Sequence, residues 1–414
     1  MIGSGKEIRL ILRSKIGVSP RLRSQTGASG SSCGRGCKLL RPCDNSLVSQ
    51  DRSRELPAIT VRVPGASYSI LIEEGLLSSA GERMNSLLAG RKLFILSDTR
   101  VWQLWGNKLL RSLGSRRQSV ILIPPGERHK RLATVEKITR QLARHGAERS
   151  SLLLVFGGGV VGDMGGFAAS VYMRGIDYIQ IPTTLLAQVD SAIGGKTGVN
   201  LTVGKNLLGT FYQPRMVLSD PRVLRTLPQR ELRAGLFEAI KCAVIGDPEL
   251  FEFLVAARQD ILKERPDALA RVIHGSVALK ARVVSLDEKE GDLRRVLNFG
   301  HTVGHALEAA TKYRRFLHGE AVAWGMMAAT GLALENGFLC GPDAARIREL
   351  ISSYGPVPSL GRVSPSSVWR HMAVDKKVRD GVVHFVLPRR IGEVEIAGGI
   401  SKGQVISVLE ELQH

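Results

Sequence analysis

Aromatic residues are scarce. Phe, Trp and Tyr together make up 5% of the 414 residues, too few for the stacking platforms that single-stranded nucleic acid needs. Cysteine is sparse too. Of the five cysteines, Cys33, Cys37 and Cys43 crowd the N-terminal stretch, and Cys242 and Cys340 stand alone. An odd count without framework spacing argues against a disulfide scaffold and for a reducing compartment. CGRGCKLLRPC could bind a metal, but its spacing matches no common zinc pattern, and it reads more simply as tail sequence that happens to contain Cys. Long hydrophobic runs are also missing. AVAWGMMAATGLAL (321–334) is the longest mostly apolar run; it falls short of the roughly 20 residues of a bilayer span and reads as a buried helix. No membrane partner is expected. With 43% hydrophobic residues and a mean hydropathy of +0.02, the chain reads as a soluble globular protein of two or three domains with a cytoplasmic location.

Positive charge is abundant. The net charge is +20, and residues 1–56 alone hold 11 Lys and Arg against 4 Asp and Glu. That segment is rich in Ser, Gly and Arg and has no hydrophobic period, so disorder is expected. Its composition fits an organellar transit peptide. It fits equally well a stretch translated from a start site placed too early, and organellar import stays open. The remaining excess suits an anionic small molecule, with no nucleic-acid partner required.

From Ala58 the texture changes. AITVRV and YSILIE alternate like a hairpin. RKLFILSD (91–98) and SVILIPPGE (119–127) read as buried strands of a parallel sheet. TVEKITRQLARHG is a helix ending at Gly146, and SLLLVF (151–156) is a further strand. Alternating strands and helices predict an α/β domain over residues 57–225. Beyond about Pro221 long helices dominate, giving a mostly helical second domain over 226–414 with one β-like stretch, VVHFVLPRRIGEVEIA. No internal repeat is present.

Three groups of residues carry chemistry. GGGVVG (157–162) fits G-x-G-x-x-G between a strand and a helix, the context in which a helix N-terminus takes a pyrophosphate; the alternative is a Gly-rich structural turn. The expected downstream acid is not evident, and Asp98, after an earlier strand, is the better ribose candidate. The second group places His301 and His305 at i and i+4 on one helical face, with His318 following in FLHGEAV and Glu238 on an earlier helix. Imidazoles and a carboxylate suit zinc with an open coordination position, although a His pair on a helix is often structural. The third group is cationic: Lys196, Lys205, Lys241, Lys280, Arg294 and the pair Lys376/Lys377. Singly these read as surface charges, but several lie in Gly-rich or apolar surroundings, and together they suggest a substrate with more than one anionic group. GGKT in IPTTLLAQVDSAIGGKTGVN (181–200) imitates a Walker A ending, yet the position that should be its first Gly is Asp190, so an ATP loop is not expected.

GGGVVGDMGGFAAS, YMRG, IPTTLLAQVDSAIGGKTGVN, GKNLLGTFYQP, LPQRELRAGLFEAIK, LNFGHTVGHALE and HGEAV, in this order, resemble 3-dehydroquinate synthase of the sugar-phosphate cyclase superfamily. The resemblance covers about residues 57–410. It implies a Rossmann-like NAD-binding domain, a helical metal-binding domain, zinc or cobalt, and a homodimer. The implied reaction turns 3-deoxy-D-arabino-heptulosonate 7-phosphate, a phosphorylated sugar acid, into 3-dehydroquinate and phosphate, a step of the shikimate pathway toward aromatic amino acids. It proceeds by transient oxidation, phosphate elimination, re-reduction, ring opening and aldol closure, so NAD is not consumed. By the same resemblance the metal ligands are Glu238, His301 and His318. NAD would meet Asp98, Glu127, Lys130, Gly159, Val160, Val161, Gly162, Asp163, Thr183, Thr184, Lys205 and Asn206. The substrate would meet Asp190, Lys196, Lys241, Lys280, Arg294, Asn298, His305 and Lys376, with Lys196 lying where substrate and NAD meet. Arg174 would reach the neighbouring subunit's site. Phe237 and Cys242 depart from the family's commoner residues without removing a chemical group. Another sugar-phosphate cyclase, or a metal-dependent polyol dehydrogenase of related fold, remains the alternative. A nucleic-acid-binding protein working through the basic tail is a third reading.

Overall fold

The computed structural model describes residues 56–373 and 383–413. The expectations for residues 1–55 and for Lys376 and Lys377 lie outside the described residues. The first half is built on a seven-stranded sheet. Its strands are β1 (Ile59–Val63), β2 (Ala66–Ile72), β3 (Leu93–Asp98), β4 (Gln118–Ile123), β5 (Leu152–Gly157), β6 (Asp177–Pro182) and a later strand, β9 (Met216–Ser219). The order across the sheet is β1-β2-β9-β6-β5-β3-β4. β1 and β2 form the expected antiparallel hairpin, and all other neighbours run parallel. β3 and β5 are buried at every position. That is why their sequences are continuous apolar runs: helices cover both sheet faces.

Helices α1 (Leu76–Arg83), α2 (Thr99–Leu113), α3 (Leu132–Arg144) and α4 (Gly159–Val171) pack on this sheet. Two smaller hairpins were not legible as strands or lay late in the chain. β7 (Lys196–Leu201) and β8 (Gly204–Phe211) pair antiparallel, as do β10 (Phe385–Arg390) and β11 (Glu393–Ala397). Lys196 of GGKT therefore opens a strand, whereas the Lys of an ATP loop opens a helix.

The second half holds α5 (Gln229–Gly246), α6 (Pro248–Ala256), α7 (Pro266–Leu286), α8 (His301–Ala310), α9 (His318–Glu335), α10 (Gly341–Ser353), α11 (Pro365–Ala373) and α12 (Lys402–Glu411). α9 contains the long apolar run and is buried along most of its length; no helix among the described residues is long and apolar enough to cross a membrane. α5 is buried on all faces from Ala234 to Ile245, so Glu238 and Lys241 are carried into the interior. Two glycines set how closely the helices approach. A Cβ on Gly325 of α9 would lie 1.8 Å from the Gly300 carbonyl oxygen, and one on Gly319 would lie 1.9 Å from that of Ala234. Both contacts demand bare backbone, and they bring α9 against α8 on one side and α5 on the other.

Candidate active site

A cleft of about 1530 Å³ opens at the carboxyl ends of β3, β5 and β6 and is closed on its far side by α7, α8 and α9. It exceeds the roughly 300–1,000 Å³ of a single-ligand pocket. The chain leaves β3 in one direction to reach β4 and, via β5, in the other, so the cleft lies at a topological switch point, where open α/β sheets bind ligands.

At the sheet end, Gly158 precedes α4 and no side chain caps the helix. Gly159, Val160 and Val161 of its first turn line the cleft, while the Val161 side chain is packed in the sheet core. A Cβ on Gly158 would come within 2.9 Å of the Thr184 methyl, so this glycine lets the 183–184 turn close on the helix. Thr183 N–H donates to the Gly157 carbonyl at 3.0 Å, and Thr184 Oγ1 accepts from Ala187 N–H at 3.2 Å. Lys130 is 4% exposed and donates to both Asp163 and Asn206. Burial raises the Asp163 carboxyl, and Lys130 partly offsets this. Glu127 accepts from Asn200 at 2.7 Å. Asp98 caps α2, its Oδ1 accepting from the N–H groups of Arg100 and Val101 at 2.9 Å each. The ribose candidate is thus also a structural cap, positioned at the cleft wall.

At the helical end three imidazoles converge. One ring nitrogen from each of His301, His305 and His318 lies within 4.8 Å of the others. Glu238 Oε1 is buried, makes no hydrogen bond, and lies 3.6 Å from His301 Nε2 and 3.5 Å from His318 Nε2. These separations are long for hydrogen bonds. They match two ligands on one tetrahedral ion, where bonds of about 2.1 Å place donor atoms about 3.4 Å apart. The Nδ1 atoms point away, His301 to the Phe299 carbonyl and His318 to Glu308 Oε2, both at 3.1 Å. Both rings can therefore present Nε2 lone pairs toward Glu238. The donor set fits zinc or cobalt. Glu238 Oε2 lies 2.5 Å from Lys241 Nζ, an ion contact off the hydrogen-bonding direction.

Between these ends stands Asp190, in a π-helical turn over Ala187–Ser191. Lys280 Nζ donates to Asp190 Oδ1 and to its carbonyl, both at 2.6 Å, and Lys241 Nζ is 3.8 Å away. Burial alone would raise the Asp190 carboxyl; the two ammonium groups outweigh it and hold Asp190 well below the usual carboxylate range. The acid that meets Lys196 is Glu290, not Asp190. Glu290 also accepts from Asn298 Nδ2 at 3.0 Å. Arg294 is 1% exposed and its guanidinium donates to the carbonyls of Gly194 and Glu288, so it clamps the 194–195 turn as well as lining the cleft. Arg174 is exposed, with φ of 66°, and is not among the described residues that line the cleft.

The 194–195 turn has a second support, the Tyr68 hydroxyl, which accepts from Gly194 N–H at 3.0 Å. Burial pushes the Tyr68 phenol from 10.0 up to about 12, against the opposing pull of Gly194 and Arg294. The folded state then holds this proton more tightly than the unfolded chain. Its contribution, about 3 kcal/mol for a two-unit shift, is full below pH 10 and is lost as pH rises toward 12. Tyr68→Phe is expected to flatten alkaline unfolding over that window. At neutral pH it should cost about 1–3 kcal/mol for the orphaned Gly194 N–H. Denaturant titrations at pH 7, 10 and 12 check both, and an unchanged alkaline slope counts against the assignment.

Residues 120–234 match the description "3-dehydroquinate synthase N-terminal" and residues 235–378 "3-dehydroquinate synthase C-terminal". The chain belongs to the 3-dehydroquinate synthase family. It is 47% identical to the 3-dehydroquinate synthase of Solibacter usitatus over 354 residues, 86% of this chain and 99% of that one. Among solved structures it resembles 2-epi-5-epi-valiolone synthase from Streptomyces hygroscopicus, solved with NAD+ and Zn2+ bound. That match has 32% identity, covers 84% of this chain and 97% of the other, and has a TM-score of 0.77. A 2-deoxy-scyllo-inosose synthase complexed with carbaglucose-6-phosphate, NAD+ and Co2+ matches at 26% identity and TM-score 0.77, over 86% of this chain and all of the other. The fold is thus common to several cyclases.

Three residues of this family member's site were missed by sequence reasoning: Glu290, Glu308 and Tyr68. Glu308 was the most accessible of them. It lies in the quoted LNFGHTVGHALE, two helical turns after His301 and on the same face. Glu290 and Tyr68 carry no local signal.

Proposed function

We propose that this chain is a 3-dehydroquinate synthase, converting 3-deoxy-D-arabino-heptulosonate 7-phosphate to 3-dehydroquinate and inorganic phosphate with NAD and one divalent ion, zinc or cobalt. The observation that carries the reading is a single cleft running from an uncapped helix N-terminus at one end to His318 at the other, with Glu238 and His301 clustered beside His318. Family membership and the motif order support it. When bound, NAD supplies a reversible hydride acceptor and the ion a Lewis acid.

The chain's own residues bind, orient and move protons. Residues 57–225 form the NAD-binding domain and 226–414 the metal- and substrate-binding domain. The α4 N-terminus at Gly159, Val160 and Val161 takes the pyrophosphate, and Gly162 lets α4 pass Gln180, whose Oε1 a Cβ would meet at 3.2 Å. Asp98, Glu127, Lys130, Asp163, Thr183, Thr184, Lys205 and Asn206 complete the NAD site. Glu238, His301 and His318 hold the ion. Asp190, kept ionised by Lys280 and Lys241, accepts a hydrogen bond from the substrate hydroxyl that is oxidised. Lys196, Lys280, Arg294 and Asn298 face the substrate's anionic groups. His305, 5.2 Å from the His301 ring, relays protons. Arg174 serves the partner's site in a homodimer, and the enzyme works in the cytoplasm.

The test is phosphate release from the heptulosonate 7-phosphate with zinc and substoichiometric NAD+, with NADH absorbance followed in parallel. Many phosphates per NAD without net NADH is the expected result. Steady NADH accumulation would instead mean a dehydrogenase, and no phosphate release would point to another sugar phosphate. Chelation should abolish activity and zinc or cobalt restore it; full turnover by metal-free protein would remove the ligand assignment.

A further inference from the structure

Glu308 takes no part in the chemistry described above, yet it is 3% exposed and occupies the junction of three elements. It sits on α8, one turn beyond His305. Its Oε2 lies 3.1 Å from Nδ1 of His318, the first residue of α9. Its Oε1 accepts from Lys205 Nζ of β8 at 3.0 Å. An imidazole that donates Nδ1–H to a carboxylate must leave its lone pair on Nε2, and Nε2 of His318 is the atom 3.5 Å from Glu238 Oε1. The other tautomer, or a rotated ring, would leave the buried carboxylate without that donor. Lys205 balances the charge, so the carboxylate is not stranded in the interior.

We propose that Glu308 is a positioning residue: one buried carboxylate that sets the tautomer and orientation of His318 for the metal and at the same time anchors the β7–β8 hairpin through Lys205. The proposal rests on the metal reading given above. Outer-shell partners of this kind orient the ligand ring, and their loss costs roughly 10- to 100-fold in metal affinity.

The test uses the full chain, stripped of metal, with zinc affinity measured by competition against a chelating dye and cobalt loading followed by visible absorption. Glu308→Gln is nearly isosteric and should bind zinc roughly 10- to 100-fold more weakly, with displaced cobalt bands. Lys205→Met keeps the carboxylate–imidazole bond but removes the counter-charge, and should weaken zinc binding much less than Glu308→Gln. Wild-type zinc affinity and unchanged cobalt bands in Glu308→Gln would overturn the proposal. So would equal weakening by Lys205→Met, which would mean a general loss of packing. Should Glu308→Gln fail to fold, nitrogen NMR of the metal-free wild type, with the His318 signal assigned by its loss in His318→Gln, still decides the matter. An Nδ1–H tautomer is expected, and an Nε2–H tautomer overturns the proposal. If the wild type binds neither zinc nor cobalt, the metal reading itself fails, and the tautomer still reports on Glu308 alone.

Discussion

Glu238→Gln loses bound metal and phosphate release together while retaining NAD. The carboxylate is 1% exposed and its Oε1 makes no hydrogen bond, and its position between two Nε2 atoms fits a shared cation. An amide of the same shape removes the anionic ligand and turns an N–H donor or a weak carbonyl toward the ion. The loss in metal affinity should exceed the roughly 10- to 100-fold that an outer partner costs, and turnover should fall with it. The variant should still fold, because Lys241 keeps Asp190 at 3.8 Å as a counter-charge. Metal content by elemental analysis and NAD binding by fluorescence separate the outcomes. A variant that holds zinc at wild-type affinity would exclude Glu238 as a ligand, and a variant that also loses NAD would be damaged more widely than the site.

Lys280→Ala raises the substrate KM far more than the NAD Kd. Lys280, on α7, lines the helical side of the cleft and reaches Asp190 through both its carboxylate and its carbonyl. A charge-assisted hydrogen bond to a substrate anion contributes about 1.5–3 kcal/mol, about 10- to 100-fold in binding. The variant also removes the larger of the two ammonium influences that hold the Asp190 carboxyl down. Asp190 should then titrate higher, and the acidic limb of the pH–rate profile should move to higher pH. Breaking the buried pair costs stability too, on the order of 3–5 kcal/mol before Lys241 compensates. Steady-state kinetics across pH and direct NAD titration provide the check; equal weakening of substrate and NAD would contradict the placement.

The α/β half was legible because its signals are local. A fully buried parallel strand must be apolar throughout, and β3 and β5 announce themselves in that way. GGGVVG between β5 and α4, and His301 with His305 one helical turn apart, are likewise readable within a dozen residues. The β7–β8 hairpin was not legible. Its residues carry Gly and polar groups on a two-stranded ribbon apart from the main sheet, and Thr197, Gly198 and Val199 are buried in succession, so no apolar–polar alternation marks the strand. Asp98 shows a different shortfall: its place after a strand was visible, but its capping of α2 depends on backbone geometry.

Fold class, a set of candidate ligands and an excess of cations followed from residue types and short spacings, whereas the family, and which candidates would hold a metal, came from the resemblance of longer motifs. Those features depend on local periodicity and on which side chains the chemistry requires. Which charge meets which was decided by tertiary structure alone. Asp190 finds Lys280 across 90 positions, Lys196 finds Glu290 across 94, and Gly194 finds Tyr68 across 126. Each partnership is closed by packing of distant elements, α7 on the π-turn and β2 beside the 194–195 turn. A linear sequence states that the charges exist; only the burial that brings them together, and denies them water, determines how they pair.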